Sequence, residues 1–385
     1  MKRKSPSFGR AGVLGLTAAV IAALVNSSTG LAAKGSVGEV GGGAEASALA
    51  SRLSTNASPS PSSSSFPRAG SEAEISSNFD ISQFVLGGGQ VPASTASEPS
   101  GNFRLDCQFS HLNYDDPIVY PGQPGKSHLH MYFGNSGTDA NSTYASLRTS
   151  GDGSCQGGPL NRSGYWIPAV FNAAGNVVVP DFAAIYYKGT NSTTAEIQNM
   201  IPIPTGLKMI AGYNMATGAS DPNFAWLCDN GTTKTQTIPN CPAGQRVGVQ
   251  MVFPQCWDGV NLDSPDHRSH LAYIYYDHSV AKCPADHPVH IPQYTIGIWF
   301  THDGDSQDWY LASDRMPGMP AHANGSTFHS DWIGAWDPAI QHEWTKQCIN
   351  TMRDCKGGQL GDGTYLKPYL SYTGPKILTP PPKPG

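Results

Sequence analysis

The sequence predicts an all-β fold: a disulfide-stapled antiparallel β-sandwich or jelly-roll-like domain with long loops and one late helix. Three observations carry that expectation. Only 14% of the 385 residues are charged, too few to clothe surface helices. The 43 glycines and 31 prolines supply turns between many short strands. Eight cysteines form an even set with no CxxC pair, the pattern of a cross-linked extracellular domain rather than a zinc ribbon.

Taken in chain order, residues 1–32 read as a secretory signal peptide. Lys2, Arg3, Lys4 and Arg10 precede an apolar run over 11–25, and Gly30-Leu31-Ala32 offers a small-residue cleavage site. The run is shorter than the ~20 residues a bilayer core requires, so export is expected and a membrane span is not. Residues 33–100 are rich in Ser, Gly and Pro and offer little apolar area to offset chain entropy; they read as a disordered spacer. Within it, 79–86 is apolar enough to pack onto the domain. Residues 101–373 run without a second linker and are expected to form a single β-rich domain, with 374–385 as an extended Pro-rich tail.

Strands are marked by alternation, as where Val247, Val249, Met251 and Phe253 alternate with Gly248 and Gln250, and by the apolar segments 271–276 and 294–300. The late helix is signalled by Asp337 as cap and Pro338 in the first turn, with Ile340, Trp344 and Cys348 on one face, ending near Asn350. Eight cysteines allow 105 pairings. The short loops favour Cys228–Cys241 and Cys348–Cys355, leaving Cys256–Cys283 and Cys107–Cys155. A net charge of −5 gives no basic footprint, so a nucleic-acid partner is not expected.

Chemistry concentrates in three segments. In the first, Ser127-His128-Leu129-His130-Met131-Tyr132-Phe133, period-two alternation puts His128, His130 and Tyr132 on a working face and Leu129, Met131 and Phe133 on an anchoring face; Asp116 and Lys126 precede it in a turn-rich loop. The second runs from Cys256-Trp257-Asp258-Gly259 through Asp263, Asp266, His267, Arg268 and His270 into a strand. The third holds His322, His329, Asp331 and Trp332, where His-x-Asp reads as a base with its orienting carboxylate or as a ligand pair. Neither HExxH nor GxSxG occurs.

Together these segments resemble a family of secreted fungal and bacterial proteins catalogued as a domain of unknown function, number nineteen-ninety-six. The resemblance covers about residues 103–350. It rests on Phe103-Arg104-Leu105-Asp106-Cys107, Asp115-Asp116-Pro117-Ile118-Val119, Pro121-Gly122, Ser127-His128-Leu129-His130, Tyr165-Trp166-Ile167-Pro168, Phe253-Pro254-Gln255-Cys256-Trp257-Asp258-Gly259 and Asp266-His267-Arg268-Ser269-His270. It implies export and a shared domain, and no activity. Gln255 stands where an acidic residue is expected in relatives.

The functional expectation is a secreted, monomeric, carbohydrate-active enzyme that cleaves an extracellular or cell-wall polysaccharide by hydrolysis or elimination. Its catalytic residues are drawn from His128, His130, His267, His270, Arg268, Asp116, Asp258 and Asp266. Trp257, Trp332, Tyr132, Lys126 and Asp331 are expected to bind substrate, the aromatic rings by stacking on sugars. No residue is assigned to a metal. Two alternatives use the same residues: a zinc or copper protein with these imidazoles as ligands, a divalent metal then being the cofactor, and a non-catalytic glycan-binding wall module. All three readings need the 128/130 and 267/270 segments to meet in one solvent-reachable hollow.

Overall fold

Two antiparallel sheets dominate the architecture. The computed structural model describes residues 67–95, 100–189, 192–229, 231, 234–278, 280–302, 304–369 and 371–384; the expected signal peptide and the first part of the spacer lie outside them. The larger sheet has seven strands in the spatial order Lys234–Thr235, Phe224–Cys228, Val247–Val252, Gln293–Phe300, Phe182–Lys188, Asn102–Cys107 and Asp354–Cys355, the last paired in parallel. The smaller has five, in the order Phe109–Asn113, His130–Gly134, Gly164–Pro168, His329–Ile333 and Lys208–Gly212, all antiparallel.

The sheets face each other across one core. Tyr165 and Trp332 of the smaller sheet pack on Tyr294 of the larger with ring centroids 5.8 Å apart, and the hydroxyls of Tyr165 and Tyr187 are hydrogen-bonded at 2.9 Å. Leu129, Met131 and Phe133 enter this core, as their alternation predicts. The outer face of the smaller sheet carries a second, small cluster. There Tyr132, Trp166, Ile210 and Ile333 pack with Ile118 and with Tyr144 and Leu147 of the short Tyr144–Thr149 helix.

All four expected disulfides are present: Cys107–Cys155, Cys228–Cys241, Cys256–Cys283 and Cys348–Cys355. The late helix spans Pro338–Trp344, with Asp337 accepting from the amides of Ala339 and Ile340, and continues through a wider turn to Asn350. No helix among the described residues is long and apolar enough to cross a membrane.

Both flanking segments differ from their reading by composition. Residues 67–95 are not a free spacer: Arg68 bridges to Asn261, Ser77 bonds Asp337, and Val85–Leu86 pairs with Tyr365–Leu366. Ile75, Phe79 and Phe84 supply the apolar anchors. Stretch 79–86 packs as its apolar composition predicts, while the rest of the segment borrows partners from the domain instead of forming a core of its own, which composition does not reveal. The Pro-rich tail is likewise docked. Ile377–Leu378 pairs with Val177–Val178, the Tyr114 hydroxyl donates to the Pro381 carbonyl at 3.1 Å, and Lys383 Nζ donates to the Ser127 carbonyl at 2.9 Å.

Candidate active site

The outer face of the smaller sheet gathers three imidazoles. His130 and Tyr132 share that face on one strand, and His329, Asp331 and Ile333 share it on another, two positions away in the sheet. Between them, Pro168 pairs with His130 and Trp166 pairs with both Tyr132 and Asp331. His130 and His329 therefore stand on opposite sides of the Gly164–Pro168 strand. His128, at the entrance to its strand, completes the group: ring centroids are 4.2 Å apart for His128 and His130, 5.1 Å for His128 and His329, and 5.9 Å for His130 and His329.

Backbone carbonyls fix how these rings present themselves. His130 donates from Nδ1 to the Asp115 carbonyl and His329 from Nδ1 to the Thr327 carbonyl, each at 2.9 Å, which leaves Nε2 of each with a free lone pair. The Nε2 atoms of His128 and His130 are buried without a hydrogen-bond partner. Burial keeps all three rings neutral. It lowers His130 to about 3 and His329 to about 4, and pushes His128 well below the usual histidine range, with its two neighbours and Lys383 adding to the effect.

Carboxylates and a guanidinium border this floor. Asp331 is 1% exposed and neither of its oxygens has a hydrogen-bond partner. Burial, and next the charge of Asp116, push its carboxyl well above the usual range, while Arg268 opposes the shift. Asp116 accepts from the amides of Ile118 and Val119, and burial raises it to about 6. Arg268 is tied down by the carbonyls of Gly212 and Tyr213, at 3.1 and 3.3 Å, at the end of the strand neighbouring His329. His267 adopts a left-handed backbone, φ 57°, and places Nδ1 2.8 Å from Asp263 Oδ1. Arg268 of the second segment thus lies near His329 and Asp331 of the third, but the ring grouped with His128 and His130 is that of His329, and the hollow that His270 lines holds neither of them.

Several expected site residues are buried, already engaged, or away from the three imidazoles. Trp257, Trp332 and Tyr132 are 4%, 0% and 0% exposed, so none offers a face to a sugar. Trp332 points into the inter-sheet core, Trp257 donates to the Asn261 carbonyl, and Tyr132 is stacked under His111 at 4.7 Å. His270 has both ring nitrogens engaged, by the Ser264 hydroxyl at 2.9 Å and the Lys208 carbonyl at 2.8 Å. Asp258 holds the turn to Asn261 through Val260 and Asn261, and with His270 lines a small hollow of ≈180 Å³. Asp266 accepts from Ser264, Arg268 and Ser269. Although burial pushes its carboxyl up, these bonds hold it well below the usual range, as in a loop-closing turn. Lys126 is exposed. Gln255 is 1% exposed with neither amide atom partnered.

His329 is the main residue that sequence reasoning left outside the site. Its parity with Asp331 was visible, but its pairing with the His128/His130 group depends on sheet order. Two rings nearby are half-buried, Tyr114 beside Ser127 and Tyr213 beside Arg268.

Neither a curated protein nor a solved structure matches this chain. A family model described as a domain of unknown function matches residues 116–336, more than half of the chain and the span from Asp116 to just past Asp331. The matched span contains His128, His130, His267, Arg268, His329 and Asp331, and the chain belongs to the family described as domain of unknown function DUF1996.

Proposed function

We propose that the chain is a secreted enzyme that cleaves an extracellular polysaccharide at the outer face of the smaller sheet. The observation that carries this reading is Asp331, a buried carboxylate with neither oxygen paired, set among His329, Asp116 and Arg268. An unpaired buried carboxylate costs a fold several kcal/mol, on the order of 1–3 or more, and such groups concentrate where chemistry is done.

The roles follow from the contacts. His267, oriented by Asp263, keeps Nε2 for a substrate proton and is the base. Arg268 stabilises negative charge that develops on the substrate. Asp331 and Asp116 form the acid pair. Tyr213, half-buried beside Arg268, is the ring on which a sugar rests. The export signal and four disulfides support an extracellular setting.

The test is incubation with a panel of fungal and plant wall glycans, following reducing ends and unsaturated products together. Reducing ends alone indicate hydrolysis, and both signals indicate elimination. Loss of either signal in His267→Ala supports the assignment. Glycan retention without any product from the wild-type chain would instead make the protein a binding module.

A further inference from the structure

The structure assigns a single transition-metal ion of the zinc class to His128, His130 and His329. Nothing in the family description points to a metal; the assignment rests on the geometry of the three rings. One nitrogen from each lies within 4.8 Å of the other two. Tetrahedral ligation at ~2.0–2.1 Å separates neighbouring nitrogens by about 3.3 Å, so modest ring rotations close the triangle around an ion.

Three further features favour an ion over a packed cluster of rings. First, the buried Nε2 atoms of His128 and His130 have no partner, although a structural histidine at such a position normally satisfies both nitrogens. His270 in the same molecule does so. Second, the Nδ1 atoms of His130 and His329 donate to main-chain carbonyls, the outer contact that orients metal-bound imidazoles and fixes their tautomer. Third, two of the three rings stand on strands of one sheet with the Gly164–Pro168 strand between them, and that order sets their spacing before any ion arrives.

The donor set also selects the metal. Neutral imidazole nitrogens suit zinc or copper, whereas calcium and magnesium require oxygen. Asp331 is not a member of the triangle, so the protein supplies three ligands. That number leaves a coordination position for water or substrate, as in catalytic rather than structural zinc sites. Binding of the ion stands on these contacts alone; its service as a Lewis acid toward a glycan rests on the cleavage proposed above.

The experiment uses the full chain produced without a histidine tag, stripped with a chelator, dialysed against zinc or copper and analysed for bound metal. The expected result is one ion per chain. His130→Ala and His329→Ala are each expected to lose about a hundredfold or more in affinity, while His342→Ala, a surface residue paired with Glu74, retains the ion. Cobalt substitution of the wild type should give the visible spectrum of a four- or five-coordinate nitrogen-ligated ion. Less than about one-tenth of an ion per wild-type chain overturns the assignment whether or not the variants fold, and so does undiminished binding in His329→Ala. A chain that binds one ion and cleaves no glycan upholds the metal site and removes the enzymatic reading. Glycan cleavage unchanged in the chelator-stripped chain removes the Lewis-acid role alone, and the metal analysis then upholds or overturns the site by itself.

Discussion

Arg148 and Asp337 meet at 3.2 Å in the protein interior, 0% and 2% exposed at their side chains. The pair joins the Tyr144–Thr149 helix to the cap of the late helix, and Ser77 completes it from the N-terminal flank. Removing one member leaves an uncompensated buried charge. Arg148→Met is expected to lower unfolding stability by about 3–5 kcal/mol, read from denaturant titration.

Asp263 ties stability to pH. Burial pushes its carboxyl up, but hydrogen bonds and charge from His267 and Lys208 outweigh this and hold it below the ordinary value of 3.8. The stabilisation is complete above that ordinary value, where the unfolded carboxyl is also ionised, and is lost as pH falls through the lower folded value. Wild-type stability should therefore decline below about pH 4 more steeply than that of Asp263→Asn. Denaturation midpoints across pH 2–6 would check this; parallel curves for the two proteins would contradict it.

The four disulfides differ in the loops they close. Cys107–Cys155 spans 48 positions and Cys348–Cys355 spans 7. Loop-closure entropy assigns about 4 kcal/mol to the first and about 2.4 kcal/mol to the second. Paired Cys→Ala replacement of the long bridge should lower the thermal midpoint more than replacement of the short one, measured by calorimetry.

Tyr213→Ala is expected to raise KM for a cleaved glycan about tenfold, a loss of roughly 1.4 kcal/mol of ring contact, with kcat within about twofold. Trp257→Phe should leave KM unchanged, because that ring is buried. Steady-state kinetics on the best substrate of the panel distinguishes the two.

What was legible in the sequence was local. Alternation separated Leu129, Met131 and Phe133 from His130 and Tyr132, short spacing paired the cysteines, and Asp337-Pro338 marked a helix start. Trp332 illustrates a parity rule applied incompletely: a strand neighbour of Asp331 points to the opposite face, so the two do not line one site. His329 and His130 meet only because the Gly164–Pro168 strand is inserted between theirs. No periodicity within either strand encodes that order. The flank around Ile75 was missed for a related reason, since its partners are supplied by segments far along the chain.

The docked C-terminal segment has a practical consequence. Lys383 is anchored to the carbonyl of Ser127, one position before His128, and Pro384 rests against Gly125. Whatever is tethered beyond Pro384 is moored at the doorway of the imidazole floor. A fluorophore attached there becomes a built-in reporter of events at those rings, and a bulky fusion partner becomes an obstruction to them.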